Sequence, residues 1–136
     1  MKVNLALSAC GALLSVSLPV LAHHAFSAEY DSQRLVEVKG VVTKVEWTNP
    51  HAHFYVDVKD ESGKVTNWNL ELGSPNMLIR NGWKRTSLKA GDEVTVKGSG
   101  AKDGANLASA STILFPDGHK LGFLSADDNG PGTSKQ

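Results

Sequence analysis

Two histidines stand one residue apart in the stretch WTNPHAHFYVDV, at His51 and His53. On a β-strand, residues two apart project from the same face, with side-chain origins about 6–7 Å apart. Two imidazoles at that separation can share one metal ion, because each ring nitrogen bonds at about 2.0–2.1 Å. Taken alone, the pair also reads as two solvated histidines beside the Asn49-Pro50 corner. A second pair, His23 and His24, follows a stretch that reads as an export signal. Cleavage before His23 would make it the terminal residue, able to offer both α-amine and imidazole to one metal. An α-amine has a pKa near 7.7–8.0, so freeing it of its proton costs little at neutral pH. An all-nitrogen tetragonal set suits Cu(II), with nickel and zinc behind it. The candidate metal ligands are therefore His23, His51 and His53, with His24 as a fourth. His119 stands apart in a turn and reads as incidental. Glu29 and Asp31 offer carboxylates near the mature start, where exposed acids ordinarily do no more than solvate the chain.

The export reading rests on the first residues. Lys2 gives a short positive region, Leu5 to Leu21 is apolar and small, and Val20 and Ala22 fit the positions read by a signal peptidase. Gly11, several serines and Pro19 interrupt the run, which disfavours a membrane-spanning helix. Leu7-Ser8-Ala9-Cys10 matches a lipobox, but the apolar run continues well past Cys10, so the match reads as accidental. The expectation is a signal at 1–22, cleaved after Ala22, and a periplasmic mature protein without stable membrane insertion. Cys10, the only cysteine, leaves with the signal, so the mature chain has no disulfide and no thiolate site. The whole chain carries 14 basic and 14 acidic side chains, and loss of Lys2 leaves one net negative charge. Such a balance provides no basic field for nucleic acid.

The elements that must position the histidines are mostly strands. Val36 and Val38 alternate with Glu37 and Lys39, and after Gly40 the apolar set is read as Val41, Thr43, Val45 and Trp47. A phase change at a glycine predicts a bulge or sharp coil in a long first strand starting at Leu35. In the next strand Ala52, Phe54, Val56 and Val58 face the core, while His51, His53, Tyr55 and Asp57 face away. Asp60-Glu61-Ser62-Gly63 is a turn. Thr66, Trp68, Leu70 and Leu72 then alternate with Asn67, Asn69 and Glu71 in a third strand. Ser74 and Pro75 are a helix start and Gly82 a stop, with Met77, Leu78, Ile79 and Trp83 plugging the core. Val94 and Val96 mark a fourth strand, and residues 107–115 a fifth. Pro116-Asp117-Gly118 turns the chain back through His119 towards Leu121. This order predicts an all-β fold with one short helix, a five-stranded OB-like β-barrel. An SH3-like barrel or an open sandwich is the structural alternative. The expected division is a signal at 1–22, an N-terminal segment at 23–34, the barrel domain at 35–124 and a disordered tail at 125–136.

Five stretches carry a family resemblance: HHAFSAEYD, GVVTKVEWTNPHAHFYVDVKD, WNLELGSPNMLIRNGW, LKAGDEVTVKGSGAKDG and LFPDGHKL. The sequence resembles the DUF6152 family of small exported bacterial proteins of unknown function. That resemblance implies a periplasmic OB-like domain and supplies no activity.

No Ser-His-Asp order, phosphate-binding glycine loop or paired-carboxylate motif is evident. Trp47, Trp68 and Trp83 sit among apolar neighbours and read as core rather than as a stacking platform. The expected function is a periplasmic, non-enzymatic protein that binds a transition metal, copper first, for handling or delivery. The alternative is a metal-independent OB module holding a small ligand or an envelope protein partner. A metalloenzyme would need an open coordination position with a placed acid or base, for which only His24, Glu29, Tyr55 and Asp57 offer themselves. Nucleic-acid binding, common for OB folds, is opposed by export and by the balanced charge.

Overall fold

The computed structural model describes residues 26–122. The expected signal, His23, His24 and the tail at 125–136 lie outside those residues. Residues 26–29 are helical. Six strands and a short helix follow: β1 (Tyr30–Glu46), β2 (His53–Lys59), β3 (Val65–Glu71), α1 (Pro75–Arg80), β4 (Glu93–Ala101), β5 (Leu107–Leu114) and β6 (Lys120–Gly122). The sheet runs β3-β2-β1-β4-β5-β6, and β3 also pairs with β5. That extra pairing is parallel, and it joins β1 to β5 in a ring of hydrogen bonds. No helix among the described residues is long and apolar enough to cross a membrane.

Alternation dictates the core. Phe54, Val56, Leu70, Val94 and Val96 are all buried, as their period-two spacing requires. Trp68 shares the inward side but is only partly buried against the same cluster, near the open end of β3.

β1 begins at Tyr30, ahead of the expected Leu35, because Tyr30 pairs with Ala101 of β4 before the register shifts. Its change of face also falls later than Gly40. Val38 and Val42 are buried whereas Val41 is exposed, so the inward set runs straight through the glycine. The bulge lies between Val42 and Lys44, after which Val45 and Trp47 turn inward. Gly40 serves a different purpose. A Cβ there would stand 2.0 Å from the carbonyl oxygen of Asp57. At this point β1 passes from β4 to β2, both of which pair with Val41, and only a residue without a side chain admits the approach.

The helix forms where the capping residues put it. Ser74 is the N-cap, its Oγ accepting from the Met77 N–H at 3.2 Å, with Pro75 in the first turn and Arg80 in the last. Leu78 and Trp83 enter the core, but Ile79 is 53% exposed and Met77 only partly covered. A helix of under two turns has one inward stripe, and Leu78 occupies it. The sixth strand was not expected. Phe115 and His119 close the Pro116–Gly118 turn by a 3.0 Å hydrogen bond, and Leu121 then pairs with Ile113 and packs on the core.

Candidate functional site

β2 and β3 form a hairpin whose register pairs His53 with Glu71, Tyr55 with Asn69 and Asp57 with Asn67. Pairing continues beyond β2, since the Ala52 N–H donates to Gly73 and its carbonyl accepts from the Leu72 N–H. His51 therefore keeps the alternation and shares the outward side with His53. Glu71 lies opposite His53 and diagonal to His51, a separation side chains bridge.

Glu71 is the centre of the cluster. One of its oxygens accepts from His51 Nδ1 and the other from the Tyr30 hydroxyl. Its side chain is only 13% exposed, and that of His51 32%. Burial pushes the Glu71 carboxyl up, but hydrogen bonds from His51 and Tyr30 outweigh it and hold the group below its ordinary range. The hydrogen bond to Glu71 raises the His51 pKa against the opposing effect of burial, and the charges of Glu71 and Glu29 add to the rise. The Tyr30 phenol is pushed up, first by burial and then by Glu71.

His53 is tied in the same sense. Its Nδ1 stands 3.0 Å from Asn69 Oδ1, an atom that only accepts. Each neutral ring thus carries its proton on Nδ1, and Nε2 holds the lone pair. Farther along the same side, Tyr55 donates to Glu46 at 3.0 Å and Asn67 to Asp57 at 2.8 Å. Glu46, paired with His53 in the register of β1 and β2, is held below its usual range by Lys44 first and then by Tyr55.

Among the described residues the other candidates make no contact with the histidine pair, although the charge of Glu29 acts on His51. Glu29 belongs to the N-terminal turn, where its carbonyl accepts from the Lys102 N–H at 2.9 Å. Asp31 accepts from the Gln33 N–H at 2.9 Å. His119 sits in the β5–β6 turn, stacked on Phe115 at 4.0 Å. Trp47 and Trp83 meet edge to face at 6.5 Å, with the Arg85 guanidinium over Trp47. Among the described residues no group of three or more His, Cys, Asp or Glu side chains could hold a metal ion. His51 and His53 are a pair, and His23 and His24 lie outside what is described.

Tyr30 and Glu71 were missed in the sequence. Glu71 was legible as an outward residue of the third strand. Counting back across the Asp60–Gly63 turn would have set it opposite His53. Tyr30 gives no such signal, because its partner lies across the sheet.

A family model of unknown function, DUF6152, matches residues 11–110. The chain belongs to the DUF6152 family. The span matched by DUF6152 takes in His23, His24, Tyr30, His51, His53, Asn69 and Glu71, and stops within β5. No curated protein and no solved structure matches the chain.

Proposed function

We propose that this protein is a periplasmic, non-enzymatic binder of a transition metal, Cu(II) first, built on an OB-like barrel. Its ligands are Nε2 of His51, Nε2 of His53 and the α-amine and imidazole of His23, with His24 as a fourth residue that could join them. The observation that carries the reading is that both strand histidines spend Nδ1 on an acceptor, Glu71 or Asn69. Metal-binding histidines are held in this way, with the remaining nitrogen turned to the ion.

Chain length also favours the reading. Phe26 is buried and meets the Tyr30 ring at 5.4 Å, and Tyr30 reaches Glu71 beside His51. His23 precedes Phe26 by three residues, a reach of at most about 10 Å. The ring order of the strands and the bent β1 support the barrel.

Cu(II) titration of protein secreted with its own signal tests the proposal. His51→Ala and His53→Ala should each weaken binding about tenfold or more, as should one extra residue before His23. Affinity should also fall as pH drops below about 6.5, since a protonated imidazole has no lone pair to give. Equal affinity in wild type and all three variants would make the histidines bystanders.

A second reading has one observation in its favour. A groove of about 860 Å³ lies at the other end of β2, lined by apolar Val58, Val94, Leu114 and Phe115 and by charges of both signs, among them Lys39, Lys59, Glu37, Asp57 and Glu93. Its volume suits a small ligand bound without metal. A wild type that takes up no copper but carries a co-purifying small molecule, lost in Val58→Trp, would favour that reading.

A further inference from the structure

We propose that Glu71 and Tyr30 are positioning residues of the histidine site: Glu71 fixes which nitrogen of His51 is offered, and Tyr30 fixes Glu71. The inference rests on the metal reading and deepens it.

A largely buried carboxylate with a buried phenol and a half-buried imidazole is a costly arrangement if stability is the only return. A desolvated charge is destabilising until its partners compensate it, and apolar residues of similar size often serve as well. Glu71 has both oxygens engaged, one by Tyr30 and one by His51, so it is held from two sides. Loss of either bond frees the carboxylate to turn about its side-chain torsions. His51 would then be able to rotate or to move its proton to Nε2, the atom a metal requires bare.

Tyr30 adds a second constraint, because it belongs to the N-terminal segment rather than to the hairpin. It is 3% exposed. Phe26 packs on its ring, and Lys102 holds the same segment through the carbonyls of Glu29 and Ser27. The phenol–carboxylate bond therefore joins the beginning of the mature chain to the strand histidines. One carboxylate is the meeting point of the segment before β1 and the strand histidines.

The experiment compares wild type, Tyr30→Phe and Glu71→Leu, all secreted with the native signal. Tyr30→Phe keeps the ring against Phe26 and removes only the hydroxyl, so it guards against a variant that fails to fold. Nitrogen-15 spectra of the histidine side chains in metal-free protein report the tautomer. Cu(II) titration and electron paramagnetic resonance report affinity and the ligand field. Wild-type His51 should be protonated on Nδ1 alone when neutral, and Glu71→Leu should shift it towards the Nε2–H form. Copper affinity should fall about 10–100-fold in Glu71→Leu, and in the same direction but less in Tyr30→Phe. The copper spectrum of Tyr30→Phe should broaden while its circular dichroism stays that of wild type. Unchanged tautomer, affinity and copper spectrum in both variants would overturn the positioning role. A wild type that takes up no copper would overturn the metal reading instead, and the tautomer shift in metal-free protein would still decide whether Glu71 orients His51.

Discussion

The pKa values of His51 and Glu71 are shifted in opposite directions, and their pairing gives the protein a definite pH dependence. The folded pKa of His51 is raised above 6.5, so its contribution to stability is full below about that pH and is lost as pH rises through the raised value. The folded pKa of Glu71 is lowered beneath 4.5, so its contribution is full above about that pH and is lost as pH falls through the lowered value. The two contributions overlap between 4.5 and 6.5. In Glu71→Gln, Tm should fall most in that window, by about 4–8 °C for a loss of about 1 kcal/mol. The difference should shrink towards pH 8, and melts of both proteins in chelator across this range would check it. A gap that widened as pH rose would mean that another pair dominates. Pairing also alters what removal of His51 should do. An outward-facing residue is ordinarily a harmless site to replace, but the His51 ring is largely covered and satisfies a buried carboxylate. The side each histidine faces was legible from the sequence. The acid beneath it was not, because alternation orients a residue without naming its neighbour on the next strand.

Among the elements, β2, β3 and α1 follow directly from local chemistry: clean alternation in the strands, and a Ser-Pro start for the helix. β1 is harder to read, because its two halves answer to different neighbours. The sequence places the break of apolar phase at Gly40, whereas it belongs to the register shift beyond Val42. Glycine in a strand signals either a bulge or a close backbone approach, and sequence does not separate the two. Here a Cβ would meet backbone, at Asp57, which has little freedom to give way. Gly40→Ala should therefore cost about 1–3 kcal/mol, the range for overpacking, or more. Urea unfolding would measure it. A cost below about 0.5 kcal/mol, ordinary for an exposed site, would show that β1 and β2 part easily there. β6 escaped notice for another reason, since three residues carry too little pattern to set against a turn.

Across the whole molecule, the ring is made of unequal links. β1 lies along β4 from Leu35 to Val41, and the β2–β3 hairpin is paired along its full length. β3 meets β5 only through Asn69–Glu71 against Leu107–Ser109, in parallel, with the Asn69 N–H reaching back to Asn106. Parallel pairing is slightly weaker per residue than antiparallel, and this contact joins segments far apart in sequence, with α1 and β4 between them. A loop of that size is closed late in folding, because its entropy must be met before its bonds return anything. The β3–β5 contact is thus the seam of the protein, the line along which it should part first without unfolding. Native-state hydrogen exchange should find amides at the seam released by a smaller opening than those shared by β1 and β4. Equal protection at both places would mean that the ring opens only as a whole. The position of the seam has a consequence for the histidines. Glu71 is one of its stitches, so every opening there would loosen the carboxylate that holds His51, and a bound metal would in turn hold the seam shut.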